Sequence, residues 1–175
     1  MSHIFALVGF MGCGKSTLGQ QAAERLGLPF RDLDRMVEDA AGATVAEVFS
    51  RQGEASFRAL EAEALGRALD ELAGGGILAT GGGAFVDPAS RRLLARPGVV
   101  TVWIDVPLAA IVQRVPRDGS RPLLGDPEAL DRLFAARREL YRAADLRVDA
   151  GSASLEETAE RLIRVLRAGP ARQAS

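Results

Sequence analysis

The stretch Gly9-Phe10-Met11-Gly12-Cys13-Gly14-Lys15-Ser16-Thr17 has the residue types and the spacing to hold a chain of phosphates. The pattern Gly-x-x-x-x-Gly-Lys-Ser lets the backbone curl until successive N–H groups face an anion. An ammonium at its end reaches the outer phosphate oxygens, and the next hydroxyl can ligate Mg²⁺. A helix starting at that point adds its positive end to the same field. The chemistry indicated is binding of a nucleoside triphosphate, with Gly12, Cys13, Gly14, Lys15, Ser16 and Thr17 as the expected contacts and Ser16 on the metal. Lys15 is the sole lysine among 22 basic residues. A compact ammonium on a flexible stem fits under phosphate oxygens where a broad guanidinium does not. Cys13, near a helix N-terminus that would favour its thiolate, raises the idea of a redox switch. The simpler reading is a small residue filling a tolerant position.

A second set of residues could serve an acceptor. Asp32-Leu33-Asp34 follows a short apolar run. If the extended geometry persists, its two carboxylates point the same way, one toward the hydration shell of Mg²⁺ and one able to accept a hydroxyl proton. The alternative is a pair of solvated acids before a helix. Arg58 and Glu61 share a helix face at i, i+3, a spacing equally suited to a surface ion pair. Gly81-Gly82-Gly83 directly follows an apolar run, where missing side chains let backbone donors approach a ligand. Arg114, Arg117 and Arg121 lie in and around an irregular stretch that could close over the nucleotide and place a guanidinium on the transferring group. Arg137 lies on a later helix.

Positioning these groups requires strands that end at each of them. Residues 4–8 read as a buried strand, followed by a helix from Lys15 to Leu26 stopped by Gly27. Leu28–Leu33 reads as a second strand. Thr44-Val45-Ala46-Glu47 is a capping box opening a short helix, and Glu54–Leu72 reads as a longer, separate one ended by Gly74-Gly75-Gly76. Ile77–Thr80 and Val99–Val106 read as strands, with a helix starting at Asp87-Pro88 between them. Pro107–Val115 reads as helix, 116–126 as loop, Pro127–Tyr141 as helix and Leu146–Val148 as a last strand. A second capping box at Ser154-Leu155-Glu156-Glu157 opens a helix running to about Leu166. Alternating strands and helices imply an α/β fold with a parallel sheet covered on both faces, and ligands then bind at the carboxyl ends of the strands. The candidate groups Gly9–Thr17, Asp32–Asp34 and Gly81–Gly83 all fall there.

Composition narrows the setting. The length of 175 residues suits a single domain over 1–168, with a frayed tail over 169–175. A net charge of −1 argues against a broadly basic nucleic-acid binder. One cysteine forbids an internal disulfide and fits a reducing compartment. The sequence shows neither a bilayer-spanning apolar run nor a basic, signal-like leader, so a soluble, cytoplasmic domain is expected; a monomer is the expected state, though nothing in the sequence fixes it.

Taken in order and spacing, the phosphate loop, Asp32-x-Asp34, Phe57-Arg58-x-x-Glu61, Gly81-Gly82-Gly83, Arg121-Pro122-Leu123-Leu124 and Arg137-x-x-Leu140-Tyr141 resemble the shikimate kinases, from Ile4 to about Leu166. The resemblance implies a P-loop, nucleoside-monophosphate-kinase-like fold with a five-stranded parallel sheet and a mobile lid. It implies transfer of the ATP γ-phosphoryl group to the 3-hydroxyl of shikimate, with Mg²⁺, in aromatic amino-acid biosynthesis. By resemblance Asp34 binds substrate hydroxyls and is the candidate base. Arg58 and Arg137 clamp the carboxylate, and Gly82, with Gly81 beside it, supplies backbone contacts. Arg121 is the lid arginine, Arg114 borders the adenine, and Asp32 supports Mg²⁺ alongside Ser16. The chain departs from the family at Glu139, where a proline is common; this adds negative charge near the anion clamp and makes Arg138 the fallback. Gly151-Ser152-Ala153 lacks the basic residue that flanks the adenine in some members. Kinases of other small polyol acids, such as gluconate or an amino analogue of shikimate, and a catalytically silent nucleotide-binding module are the alternatives.

Overall fold

In the computed structural model the described residues are 3–114, 126–151 and 153–170. The first apolar run becomes β1 (Ile4–Val8), buried along its whole length. It lies at the centre of a five-stranded sheet of order β2-β3-β1-β4-β5, where β2 is Phe30–Asp32, β3 Gly76–Ala79, β4 Val99–Asp105 and β5 Leu146–Asp149. Every pairing is parallel; Ile4 is level with Gly76 on one side and Val99 on the other. Parallel neighbours need crossovers, and helices supply them. These are α1 (Lys15–Leu26), α2 (Leu33–Ala41), α3 (Val45–Glu71), α4 (Pro88–Leu94), α5 (Leu108–Arg114), α6 (Pro127–Tyr141) and α7 (Leu155–Ala168). The core forms between sheet and helices, with Leu7, Leu18, Leu65, Ile77, Leu78, Ile104 and Leu162 almost fully buried.

The local signals explain most boundaries. Thr44 and Ser154 each close a full capping box, with Glu47 and Glu157 reaching back. Asp87 and Asp126 cap α4 and α6, and a proline follows each. Gly27 ends α1 in the left-handed conformation at φ 65.

Two expectations change. The second strand is shorter, because Asp32 already caps a helix: its side chain accepts from the N–H groups of Asp34 and Arg35, so α2 starts at Leu33. Nothing in the sequence reading placed a helix over Leu33–Ala41, although Leu33 and Val37 form its buried side. The two helices expected around residues 44–72 are both present within α3: the backbone breaks at Gly53, where φ 79 and ψ 172 are not helical, directly before the expected start of the longer helix at Glu54. Gly76 opens β3 rather than merely ending a helix. A Cβ there would lie 2.7 Å from Leu72 Cδ2 and 2.9 Å from the Pro29 carbonyl oxygen.

Candidate active site

The phosphate loop turns from β1 into α1 at the carboxyl end of the sheet. Gly9, Gly12 and Gly14 all take positive φ, at 147, 74 and 93, which side chains disfavour. Gly9 also has no room for a side chain, since a Cβ would lie 2.8 Å from the Ile104 carbonyl oxygen on β4. Lys15 is buried, and its ammonium donates to the carbonyls of Gly9 and Phe10 at 2.9 Å each. A buried ammonium requires such partners, and they hold it inside the loop. Ser16 and Thr17 are exposed in the first turn of α1, where their hydroxyls can meet a ligand. Cys13 is fully buried, so the idea of an accessible redox thiol fails for lack of access. Its N–H closes a turn onto the Phe10 carbonyl at 3.3 Å, and its sulfur lies 3.7 Å from the Lys15 ammonium.

The three glycines after β3 gather the acceptor residues. Around Gly81 a Cβ would lie 2.6 Å from Glu61 Oε1 and 2.9 Å from Asp34 Oδ1, so both carboxylates press on its backbone. At Gly82 it would lie 3.1 Å from the Met11 nitrogen, which places the phosphate loop directly against the glycine loop. At Gly83 it would run into the Arg58 guanidinium. From α6, Arg137 Nη1 and the Tyr141 hydroxyl both donate to the Gly82 carbonyl, at 3.3 and 2.6 Å. Arg137 also lies over the Phe10 ring, 5.7 Å from its centroid. Asp34, Arg58, Gly81, Gly82 and Arg137, four segments far apart in sequence, therefore surround one site that touches the phosphate loop. A cleft of about 530 Å³ opens there, lined among others by Arg58, Gly83, Asp87 and Arg137. That volume suits a small ligand.

Arg58 is fixed from behind. Its Nη1 pairs with Glu61 Oε2 at 2.6 Å, and the Glu61 side chain is 1% exposed. Burial pushes the Glu61 carboxyl above its ordinary range, Arg58 pulls it down, and Asp34 and Asp87 push it up again. The burial effect prevails in direction, yet the short charge-assisted bond holds the guanidinium. Glu61 Oε1 has no hydrogen-bond partner and faces Gly81.

Other expectations shift or fall outside the described residues. Asp32 and Asp34 do not share one face of a strand: Asp32 Oδ1 caps α2, accepting from the Asp34 and Arg35 amides at 3.0 and 3.3 Å. Arg138 is no substitute for Arg137. It reaches Asp105, as does Arg147, and lies over Trp103 away from the glycine loop. Glu139 pairs with Arg142 at 3.1 Å and not with Arg58 or Arg137. Arg114 ends α5, but its side chain is not described, and Arg117 and Arg121 lie outside the described residues. For a metal, no group of three or more His, Cys, Asp or Glu among the described residues is placed to act as a cage. An exposed hydroxyl at Ser16 and the second oxygen of Asp32 instead suit Mg²⁺ carried in on phosphate oxygens and water. The contribution missed from sequence is Tyr141, which lies at the end of a correctly placed helix and at the end of the Arg137-x-x-Leu140-Tyr141 motif.

The sequence model of the shikimate kinase family matches residues 11–167. The chain belongs to that family. Among members, the shikimate kinase of Geobacter sulfurreducens is 46% identical over 154 residues, spanning 86% of this chain and 83% of the relative. That of Ruegeria pomeroyi is 42% identical over 164 residues, 91% and 83%. The solved shikimate kinase of Acinetobacter baumannii, in complex with shikimate, superposes with a TM-score of 0.82 at 32% identity, covering 96% of this chain and 94% of its own. The five-stranded parallel sheet with helices on both faces is the P-loop, nucleoside-monophosphate-kinase-like fold of this family.

Proposed function

We propose that this chain is a shikimate kinase, transferring the γ-phosphoryl group of ATP to the 3-hydroxyl of shikimate to give shikimate 3-phosphate and ADP, a step toward chorismate and the aromatic amino acids. The observation that carries the reading is the meeting of Arg58, Arg137 and Asp34 around Gly81–Gly83 in direct contact with Met11 of the phosphate loop. Donor and acceptor sites share a wall, as in-line transfer requires.

The phosphate-loop amides and Lys15 hold the β- and γ-phosphates, and Lys15 offsets charge on the transferring group. Ser16 would ligate Mg²⁺ and Asp32 would steady its water shell; the ion, when bound, neutralises phosphate charge. Arg58 and Arg137 clamp the substrate carboxylate, where planar guanidinium groups bind in bidentate fashion. Glu61 keeps Arg58 in place. Gly82, with Gly81, supplies backbone contacts, and Asp34 binds the hydroxyls and accepts the proton of the attacking one. By family resemblance Arg121 meets the phosphates from the lid and Arg114 borders the adenine. The enzyme acts as a cytoplasmic monomer, without nucleic acid or membrane. Among the described residues no helix is long and apolar enough to cross a membrane.

The test is ADP release in a coupled assay with shikimate, gluconate or no acceptor. Release dependent on shikimate is expected. Preference for gluconate would replace the substrate assignment, and nucleotide binding without acceptor-dependent turnover would leave only a silent module.

A further inference from the structure

The Gly81–Gly83 loop touches every acceptor residue, yet three consecutive glycines provide no stiffness of their own. Its turns close on local bonds, from Ala84 N–H to the Gly81 carbonyl and from Val86 and Asp87 N–H to the Gly83 carbonyl. None of these fixes the Gly82 carbonyl. That oxygen is held from α6 by two donors, the Tyr141 hydroxyl at 2.6 Å and Arg137 Nη1 at 3.3 Å. A carbonyl oxygen has two lone pairs, and here both are taken. The shorter bond is the one from Tyr141, the sole tyrosine of the chain, which is 2% exposed. Its ring is locked between Phe85, stacked at 6.2 Å, and Trp103, also at 6.2 Å.

We infer that Tyr141 is a positioning residue for the acceptor: its hydroxyl fixes the plane of the Gly82–Gly83 peptide and thereby aims the glycine-loop donors into the cleft. A trans peptide places its N–H opposite its carbonyl. With the Gly82 oxygen drawn toward α6, the Gly83 N–H points the other way, and Gly83 lines the cleft beside Arg58. Arg137 gives the same carbonyl its Nη1, in the longer of the two bonds. Burial keeps the phenol protonated far above its ordinary range, so the donor persists at all working pH values. Tyr141 touches neither substrate, and its effect runs through Gly82.

The inference rests on reading the cleft as the shikimate site, so the wild-type chain is assayed first. If the wild type does not phosphorylate shikimate, the functional reading has failed, and with it this one. Given an active wild type, Tyr141→Phe keeps the ring packing and removes only the hydroxyl. The shikimate KM should rise about 5- to 20-fold, the loss expected for one buried hydrogen bond, while the ATP KM stays within about 2-fold and the melting curve stays cooperative. An unchanged shikimate KM overturns the inference. So does an equal rise in both KM values, which a merely structural role would give. Should Tyr141→Phe fail to fold, incorporation of 3-fluorotyrosine labels this one position in the intact chain. Saturating shikimate should then move its single ¹⁹F resonance, and an unmoved resonance overturns the inference.

Discussion

At Glu61 the competition between burial and pairing has a measurable consequence. Its carboxyl titrates above the ordinary glutamate value of 4.5, chiefly because it is buried, while Arg58 opposes the shift. The folded chain therefore binds this proton more tightly than the unfolded chain. The associated stability is fully present below the unfolded value and is lost as pH rises through the folded one. For binding the order reverses. Protonation weakens the grip on Arg58, so the shikimate KM should climb as pH falls through that raised value. Glu61→Gln should raise the KM and flatten its pH dependence; an undiminished slope would assign the titration to another group. Lys15→Ala should abolish turnover with the fold intact by circular dichroism. Asp34→Asn should cut kcat by about 10²- to 10⁴-fold, the range for losing a general base, with ATP affinity nearly kept. Unchanged turnover would remove Asp34 from the chemistry. Residue types and spacing singled out Lys15 and Asp34 as candidates, because each chemistry tolerates few side chains. The burial of Glu61 was not legible, since i, i+3 spacing from Arg58 suits a surface pair equally well.

Among the elements, α3 carries two glycines that should respond oppositely. Gly53 has φ 79 and ψ 172, a backbone region open to glycine alone, and no atom stands within 4 Å of a Cβ there. Gly53→Ala should cost about 1–3 kcal/mol through backbone strain alone. Gly66, in regular helix with equally open surroundings, should give about 0.5–1 kcal/mol of stabilisation as Gly66→Ala. Urea unfolding of the two variants checks both signs. The kink matters because α3 bears Arg58 and Glu61 just beyond it. The sequence marked a helix on each side of Gly53, and the break falls there because φ 79 and ψ 172 are not helical. The sequence hid α2, because Asp32 serves equally as the end of a strand and as a helix cap, and neighbouring strands decide which.

On the scale of the whole molecule, the P-loop is joined to the acceptor side through α6. Phe134 meets Phe10 edge-on at 5.2 Å, Arg137 lies over the same ring, and Tyr141 reaches the glycine loop. ATP should raise the melting temperature of the wild type, by about 2.7 kcal/mol of added stability at a hundredfold excess over Kd, and should not do so for Lys15→Ala. Amine-directed modification should mark one side chain besides the N-terminus, and ATP should slow it. The sequence by itself determined the alternation of strands and helices and the phosphate-loop pattern, and it singled out the candidate acceptor residues, because short-range periodicity, turn chemistry and motif spacing are local. Tertiary structure alone decided that Asp34, Arg58 and Arg137 meet around Gly81–Gly83. It also decided that Cys13 is sealed, that Arg138 faces Asp105, and that Tyr141 holds Gly82. Each of these depends on which strand lies beside which and on what covers a side chain, and such contacts between distant segments are absent from any local pattern.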